Sequence, residues 1–153
     1  MINFSDLFME SEGKPVKYGE RTLLLIDQLP ISQKFCIMLK LISTNSEWKQ
    51  AIRIAINTGS MTVDGVIRRK EFRFWEDDLR KEPEQTIVIH GNTKDKYLSI
   101  WNAYERIYNT GEKVVESWNM GAAMIKGDEG IYYCNDAHID DDFNDLIFQI
   151  KIL

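Results

Sequence analysis

Residues 51–57 read Ala51-Ile52-Arg53-Ile54-Ala55-Ile56-Asn57, with isoleucine at every second position. Successive side chains of a β-strand point to opposite faces of a sheet, so this period of two predicts a half-buried strand. The run Glu71-Phe72-Arg73-Phe74 has the same alternation, and residues 146–153 place Leu146, Phe148, Ile150 and Ile152 on one face. The clearest periods in the chain are therefore those of strands.

Further strand-like runs lie elsewhere in the chain, and turn sequences such as Asn57-Thr58-Gly59 separate the runs. They cover residues 21–27, 35–42, 85–90, 97–104, 114–118 and 130–134. Many short strands with frequent turns predict an all-β fold, an antiparallel β-sandwich of roughly nine or ten strands. Residues 3–11 are the one helix candidate, with Ser5 as its cap, and the mixed-charge run 75–84 is expected to be a solvated loop.

The size and charge of the chain argue against several classes of protein. Its 153 residues suffice for one domain, and its net charge of -5 disfavours nucleic acid or an anionic membrane surface as partner. The chain has no long apolar run, so we expect no membrane insertion. Residues 1–6 do not form a secretory signal, so we expect synthesis in the cytoplasm, and non-classical export stays open. Cys36 and Cys134 are expected to be free buried thiols, although a disulfide stays open.

An acidic stretch near the C-terminus carries the main functional signal. Residues 128–145 contain seven acids, and His138 is their only potential cation. Calcium takes six to eight oxygen ligands from carboxylates, amides and backbone carbonyls. Five residues within ten positions offer such oxygens: Asp136, Asp140, Asp142, Asn144 and Asp145. We therefore predict a calcium site here, with apolar strands on both sides and Phe143 folded inward to pin the loop.

Other interpretations of the acidic stretch fit less well. A solvated turn is the plain alternative, but it leaves so dense a cluster of like charges unexplained. The loop lacks the sixth-position glycine and the closing glutamate of an EF-hand. His138 stands alone without convergent cysteines, so zinc is disfavoured, and magnesium would take fewer protein oxygens. His138 is either a spacer of the loop or a ligand contact.

The spacing Asp136-x3-Asp140-x-Asp142-Phe143-Asn144-Asp145, followed by an apolar strand, resembles the calcium-dependent fucose/mannose-binding lectins of bacteria. A second stretch is similar to the first core strand of that family. It begins at Leu29-Pro30 and ends in the pair Asn45-Ser46. The resemblance covers residues 29–153, and residues 1–28 form an N-terminal extension, a short helix plus a strand, without a counterpart in the family.

The resemblance implies a lectin that binds a monosaccharide or glycan through two calcium ions. The vicinal hydroxyls of the sugar replace metal-bound water in that family. The implied metal ligands are Asp136, Asp140, Asp142, Asn144, Asp145 and Asn45, with Asp142 and Asp145 bridging the ions. The implied sugar-binding residues are Ser46, Glu47, Trp48, Asp142, Asn144 and Asp145. Trp48 is either a sugar-stacking ring or an ordinary aromatic at the start of a strand.

The chain departs from the family pattern in four places. The family usually has glutamate at the position of Asp136, and small residues where this chain has Ser46-Glu47-Trp48. The family has no equivalent of residues 1–28. It also ends in a glycine whose carboxylate reaches across a homodimer, whereas this chain ends at Leu153. A homodimer remains open, but we expect water or the chain itself to complete the site.

Two other functions compete with the lectin interpretation. The first is a calcium-stabilised protein-interaction β-domain without sugar binding, in which Glu47 blocks the site. The second is an enzyme, because paired carboxylates serve glycoside hydrolases. The acids crowd into one loop, and we find neither a nucleophile elbow nor a phosphate-binding loop. We therefore expect that the protein is not an enzyme.

Overall fold

The computed structural model describes residues 3–65 and 67–153. This part of the chain contains two short α-helices and fourteen strands. In chain order they are α1 (Phe4–Glu10), β1 (Val16–Tyr18), β2 (Arg21–Leu23), β3 (Asp27–Pro30), β4 (Lys34–Thr44), β5 (Lys49–Ala55), β6 (Ser60–Val63), β7 (Ile67–Arg69), β8 (Glu71–Trp75), α2 (Glu76–Arg80), β9 (Thr86–Asn92), β10 (Tyr97–Ile107), β11 (Lys113–Glu116), β12 (Ala123–Lys126), β13 (Ile131–Asn135) and β14 (Leu146–Ile152). Single 3-10 turns lie at Pro83–Gln85 and Asp128–Gly130.

The strands form two main antiparallel sheets and a small hairpin. One sheet has the order β11-β10-β5-β8, with β3 also paired to β10. The other has the order β12-β13-β14-β4-β9-β6-β7, and β1 pairs with β2. The prediction of an all-β fold with antiparallel sheets is confirmed.

The core lies between the two main sheets, where the alternating runs place their apolar faces. Ile52 and Ile54 of β5 are fully buried and join one apolar cluster with Leu39 of β4 and Phe148 of β14. Burying a side chain of this size stabilises the fold by roughly 1.5–3 kcal/mol relative to leaving it in water. The period of two in the sequence thus corresponds to the inner and outer faces of a sandwich.

The fourteen strands exceed the predicted nine or ten. Four strands lie outside every predicted run, namely β1, β6, β7 and β12, and the run 21–27 contains two separate strands, β2 and the start of β3. Each of these strands has only three or four residues. So short a run is not long enough to show a period of two. Pairing with other strands alone gives these residues their strand conformation.

Two local predictions are corrected by the structure. Helix α1 begins after Asn3, whose side chain accepts a hydrogen bond from the backbone N–H of Ser5 at 3.0 Å, so Asn3 and not Ser5 is the cap. The run 75–84 is not simply a solvated loop, because it contains α2 with a buried Leu79. Glu76 anchors this helix by accepting a hydrogen bond from the backbone N–H of Gln50 at 2.7 Å.

The N-terminal segment is joined to the sandwich. Leu24 and Met124 exchange backbone hydrogen bonds of 2.8 Å, and β3 pairs with β10 along Asp27–Pro30. The predicted boundary between residues 28 and 29 therefore falls inside β3. Within the described residues, neither helix has the length and apolar character needed to cross a membrane.

The cysteines and the chain end have defined positions. Cys134 is buried and Cys36 is half-buried, and both are free thiols. The backbone N–H of Leu153 donates to the carbonyl of Cys36 at 2.8 Å. Leu153 therefore lies near the first residues of β4, at the opposite end of this strand from Asn45. A homodimer stays open, and the completion of the site by water or by the chain itself, rather than by a neighbour's Leu153, stays a prediction.

Candidate metal centre

The acidic loop, residues 136–145, connects β13 to β14 and lies beside the end of β4. Strand β14 pairs with β4 so that Leu146 lies opposite Thr44, and the backbone N–H of Asn45 donates to the carbonyl of Asp145 at 3.0 Å. This pairing brings the residues after β4 to the acidic loop, about ninety positions away in sequence. Together they surround an open cavity of about 500 Å³, lined by Thr44, Asn45, Ser46, Glu47, His138, Asp140, Asp142 and Asp145.

Three carboxylates of the loop converge on one point. Asp140, Asp142 and Asp145 each offer one oxygen, and these three oxygens lie within 4.8 Å of one another. Oxygens bound to the same calcium ion at about 2.4 Å lie at most about 4.8 Å apart. The three side chains therefore have a spacing that one calcium ion can occupy.

The carboxylates destabilise one another in their ionised forms. Burial and the charges of Asp136 and Asp140 together raise the pKa of Asp145 to about 7, although the backbone N–H of Asp136 donates to Asp145 at 3.0 Å. Burial and the neighbouring Asp142 raise the pKa of Asp140 to about 6. A divalent cation between these groups would remove the repulsion and favour their ionised forms.

Two oxygen atoms near the cluster lack a hydrogen-bond partner among the described residues. They are Oδ1 of Asp140 and Oδ1 of Asn144, and both atoms are buried. A buried acceptor without a partner costs roughly 1–3 kcal/mol, so native structures rarely leave one unused. Both atoms belong to predicted metal ligands, and coordination would satisfy them.

Asp136 has a different environment from the three clustered acids. Its side chain is fully buried, and one oxygen accepts from Ser46 Oγ at 2.5 Å and Gln50 Nε2 at 3.0 Å. The other oxygen contacts the backbone N–H of His138 at 3.1 Å and its Nδ1 at 2.7 Å. These contacts make Asp136 a brace between the loop and β5. Its assignment as a direct metal ligand stays a prediction.

Trp48 lies behind the cavity rather than in its wall. Its ring stacks on His138 at a centroid distance of 4.0 Å and on Tyr104 at 5.9 Å. The guanidinium of Arg106 lies 5.6 Å from the same ring. Neighbouring side chains therefore already cover Trp48, and its stacking on a sugar stays a prediction.

His138 links the two sides of the cavity. Its Nε2 lies 3.2 Å from Oε1 of Glu47, while its Nδ1 contacts Asp136. Burial lowers the pKa of His138, but the hydrogen bonds and charges of Asp136 and Glu47 outweigh burial and raise the pKa above its ordinary value. In its protonated form, His138 supplies positive charge to this acidic surface.

Sequence reasoning missed two buried amides that position the loop. Gln50 is fully buried and donates to Asp136. Asn135, also fully buried, donates to the carbonyl of Asp140 at 2.9 Å and accepts from the backbone N–H of Phe143 at 2.9 Å. A buried polar side chain indicates such a role, but the sequence does not show which polar residues the fold buries.

The structure thus gathers most of the predicted site residues. Asp140, Asp142 and Asp145 form the cluster, and Asn45, Ser46 and Glu47 share the cavity wall with them. Asp136, Asn144 and Trp48 lie outside the residues that line the cavity. No protein-family model, curated protein or solved structure matches this chain.

Proposed function

We propose that the protein binds calcium at the acidic loop and uses the bound metal to hold a carbohydrate of the fucose or mannose type. The observation that carries the proposal is the convergence of Asp140, Asp142 and Asp145 within 4.8 Å, in the wall of an open cavity. The function is binding, and we assign no catalytic residue.

The donor set favours calcium among biological cations. Three carboxylates and the amide oxygens of Asn144 and Asn45 are hard donors, which suit calcium rather than zinc or copper. An open cavity also leaves coordination positions for oxygens from outside the protein. A second ion bridged by Asp142 and Asp145 belongs to the proposal, because the resemblance to the two-calcium lectins implies it.

The cavity has space for a sugar ring above the carboxylates. Bound calcium supplies a centre that two neighbouring hydroxyl oxygens can chelate together. The carboxylates of the protein orient the hydroxyls by accepting hydrogen bonds from them, and exposed Glu47 is an additional acceptor at the rim. Ser46 contributes less to sugar contacts, since its hydroxyl already donates to Asp136 and accepts from the backbone N–H of Trp48.

A second candidate is a calcium-stabilised protein-interaction domain without sugar affinity. It is favoured by the contact between Glu47 and His138, which holds an extra carboxylate beside the cavity. In that function Glu47 serves as a ligand or a barrier, and calcium only orders the loop.

Thermal unfolding in calcium and in chelator tests the metal site. Calcium that binds only the folded protein, at about one hundred times its Kd, stabilises it by about 2.7 kcal/mol. Asp142→Asn should abolish this increment, whereas Asp141→Asn should retain it, because Asp141 is an exposed neighbour outside the cluster. Equal melting of the wild type in both solutions contradicts the calcium site.

A glycan-binding screen in calcium and in chelator separates the two candidates. A lectin binds fucose- or mannose-type sugars in calcium and loses them in chelator, and Asp142→Asn abolishes the signal while Asp141→Asn keeps it. Calcium-dependent stabilisation without any sugar binding favours the interaction domain.

A further inference from the structure

Phe143 occupies the centre of the acidic loop, between the predicted ligands Asp142 and Asn144. Its backbone has a φ of 49°, in the left-handed region that residues with a side chain rarely adopt. The directions of both neighbouring side chains depend on this conformation. Whatever holds Phe143 therefore also sets the geometry of the proposed metal site.

The ring of Phe143 packs on the N-terminal segment, residues 3–25, and not in the core between the main sheets. The ring is buried and belongs to an apolar cluster with Phe4, Phe8, Leu23 and Ala123. Phe4 stacks on it at a centroid distance of 6.0 Å, with an angle of 23° between the rings. Deleting the side chain of Phe4 would leave Phe143 without its aromatic neighbour.

Arg21 of β2 holds the acidic loop at a second point. Its Nη1 donates to the carbonyl of Asp141 at 3.0 Å, and its guanidinium lies 5.3 Å from the centre of the Phe143 ring. The loop therefore receives a positive charge and an aromatic stack from the same short segment. A cation over an aromatic ring contributes attraction beyond the hydrogen bond.

The N-terminal segment is anchored to the sandwich apart from the loop. Leu24 exchanges two backbone hydrogen bonds with Met124, and the backbone N–H of Ser5 donates to the carbonyl of Met120 at 3.1 Å. The segment is thus a fixed platform on which Phe143 docks. Such a support lowers the entropy that the loop must lose when it binds a ligand.

We infer that residues 3–25 brace the calcium loop, with Phe4 and Arg21 as positioning residues that act through Phe143 and Asp141. This inference rests on the proposed function and explains what the N-terminal extension contributes to it. Coupling between two sites is reciprocal in binding free energy. Calcium therefore strengthens the docking of the N-terminal segment as much as the segment strengthens calcium binding.

Two matched substitutions in α1 test the inference. Phe4 and Phe8 are both buried phenylalanines of α1, but Phe8 lines a cavity with Leu25 and Trp118 and has no stacking contact with Phe143 among the described residues. We expect Phe4→Ala to weaken calcium binding about tenfold, measured by calorimetry where both variants are folded. Phe8→Ala, which leaves the stack on Phe143 in place, should weaken calcium binding clearly less. Phe4→Tyr, which retains the ring, should keep the calcium affinity of the wild type.

Hydrogen exchange gives a readout that does not need the metal. In chelator, Phe4→Ala should speed exchange of the Phe143 amide, which donates to Asn135, more than Phe8→Ala does. In the wild type, calcium should slow exchange of the amides of α1. Arg21→Ala should weaken calcium binding by a smaller factor, with Lys17→Ala as the control because Lys17 contacts Thr22 in the same hairpin.

The outcomes separate the inference from the proposed function. If the wild type binds no calcium, the proposed function fails and the coupling fails with it. If the wild type binds calcium and Phe4→Ala binds it equally well, the brace alone is overturned. Equal weakening by Phe4→Ala and Phe8→Ala also overturns it, because the effect then reflects general loss of stability.

Discussion

Two loops of this protein present aspartate carboxylates in opposite surroundings. Asp95 accepts hydrogen bonds from the backbone N–H of Asn57 at 2.6 Å and from Thr58 Oγ1 at 2.7 Å, and these donors lower its pKa. In the acidic loop, burial and neighbouring carboxylates raise the pKa of Asp140 and Asp145. The same side chain is stabilised as an anion in one loop and destabilised as an anion in the other.

The difference teaches how a structural acid is distinguished from a binding acid. The turn around Asp95 satisfies its charge with donors of the chain itself, so it needs no ligand. In the acidic loop, Ser46 and Gln50 of the neighbouring segment donate to Asp136, whereas oxygens of Asp140, Asp142 and Asp145 face one another. An acid whose charge the fold does not compensate is a better candidate for a metal ligand.

The largest expected effect comes from neutralising one acid in each loop. Asp145→Asn should remove the calcium-dependent stabilisation, about 2.7 kcal/mol at one hundred times the Kd, because a clustered ligand loses its charge. In chelator the variant should be at least as stable as the wild type, since like-charge repulsion falls and the amide oxygen still accepts from Asp136. The measurement is chemical denaturation with and without calcium.

Asp95→Asn is the matched control for that experiment. It weakens the hydrogen bonds from Asn57 and Thr58, so stability should fall equally in calcium and in chelator. A calcium increment that survives in Asp145→Asn and disappears in Asp95→Asn would reverse the roles of the two loops.

The pH dependence of stability should have opposite signs in the two loops. Between an ordinary aspartate pKa of about 3.9 and the raised pKa values of about 6 and 7, the metal-free native loop binds more protons than the unfolded chain. Its contribution to stability therefore falls as the pH rises from 5.5 to 7.5. The raised pKa of His138 acts in the same direction. Asp95, whose pKa is lowered, has the opposite effect. Its ionised form stabilises the fold above about pH 4, and this contribution is lost as the pH falls through the lowered pKa.

Melting curves at pH 5.5 and pH 7.5, in calcium and in chelator, measure this dependence. Calcium must displace the bound protons, so its stabilising effect should be larger at pH 7.5. The difference between the wild type and Asp145→Asn isolates the contribution of Asp145 and of the groups coupled to it, His138 included, from that of the rest of the chain. A wild type whose calcium increment is larger at pH 5.5 contradicts the raised pKa values.

The smallest expected effect concerns sugar preference at the rim. Glu47 is exposed and contacts His138 next to the clustered acids. Glu47→Ser should change the ranking of sugars in a glycan screen while leaving calcium-dependent melting close to that of the wild type. Ser32→Ala, beside the distant start of β4, is a control that should change neither. An unchanged ranking removes Glu47 from the specificity of the site.

Much of the fold was predictable because its signals are local. The alternating isoleucines of residues 51–57 and the faces of residues 146–153 predict strands, since neighbouring side chains of a strand always point to opposite faces. The short strands β6, β7 and β12 and the helix α2 were not predicted. Their residues have no sufficient period, and pairing or packing with distant residues determines their conformation.

The acidic loop also has features that local sequence predicts and features that depend on distant contacts. The nearness of Asp140, Asp142 and Asp145 follows from sequence, because the three lie within six consecutive positions of one loop. The directions of their side chains depend on the backbone conformation at Phe143. The position of Asn45 and Glu47 depends on the pairing of β4 with β14, which joins residues more than one hundred positions apart. The use of Asp136 as a brace and of Phe4 as a support for Phe143 depends on contacts of the same long range. Spacing along the chain determines which charged residues lie near one another. The packing of the folded chain, which minimises its free energy, determines which of them have a hydrogen-bond partner.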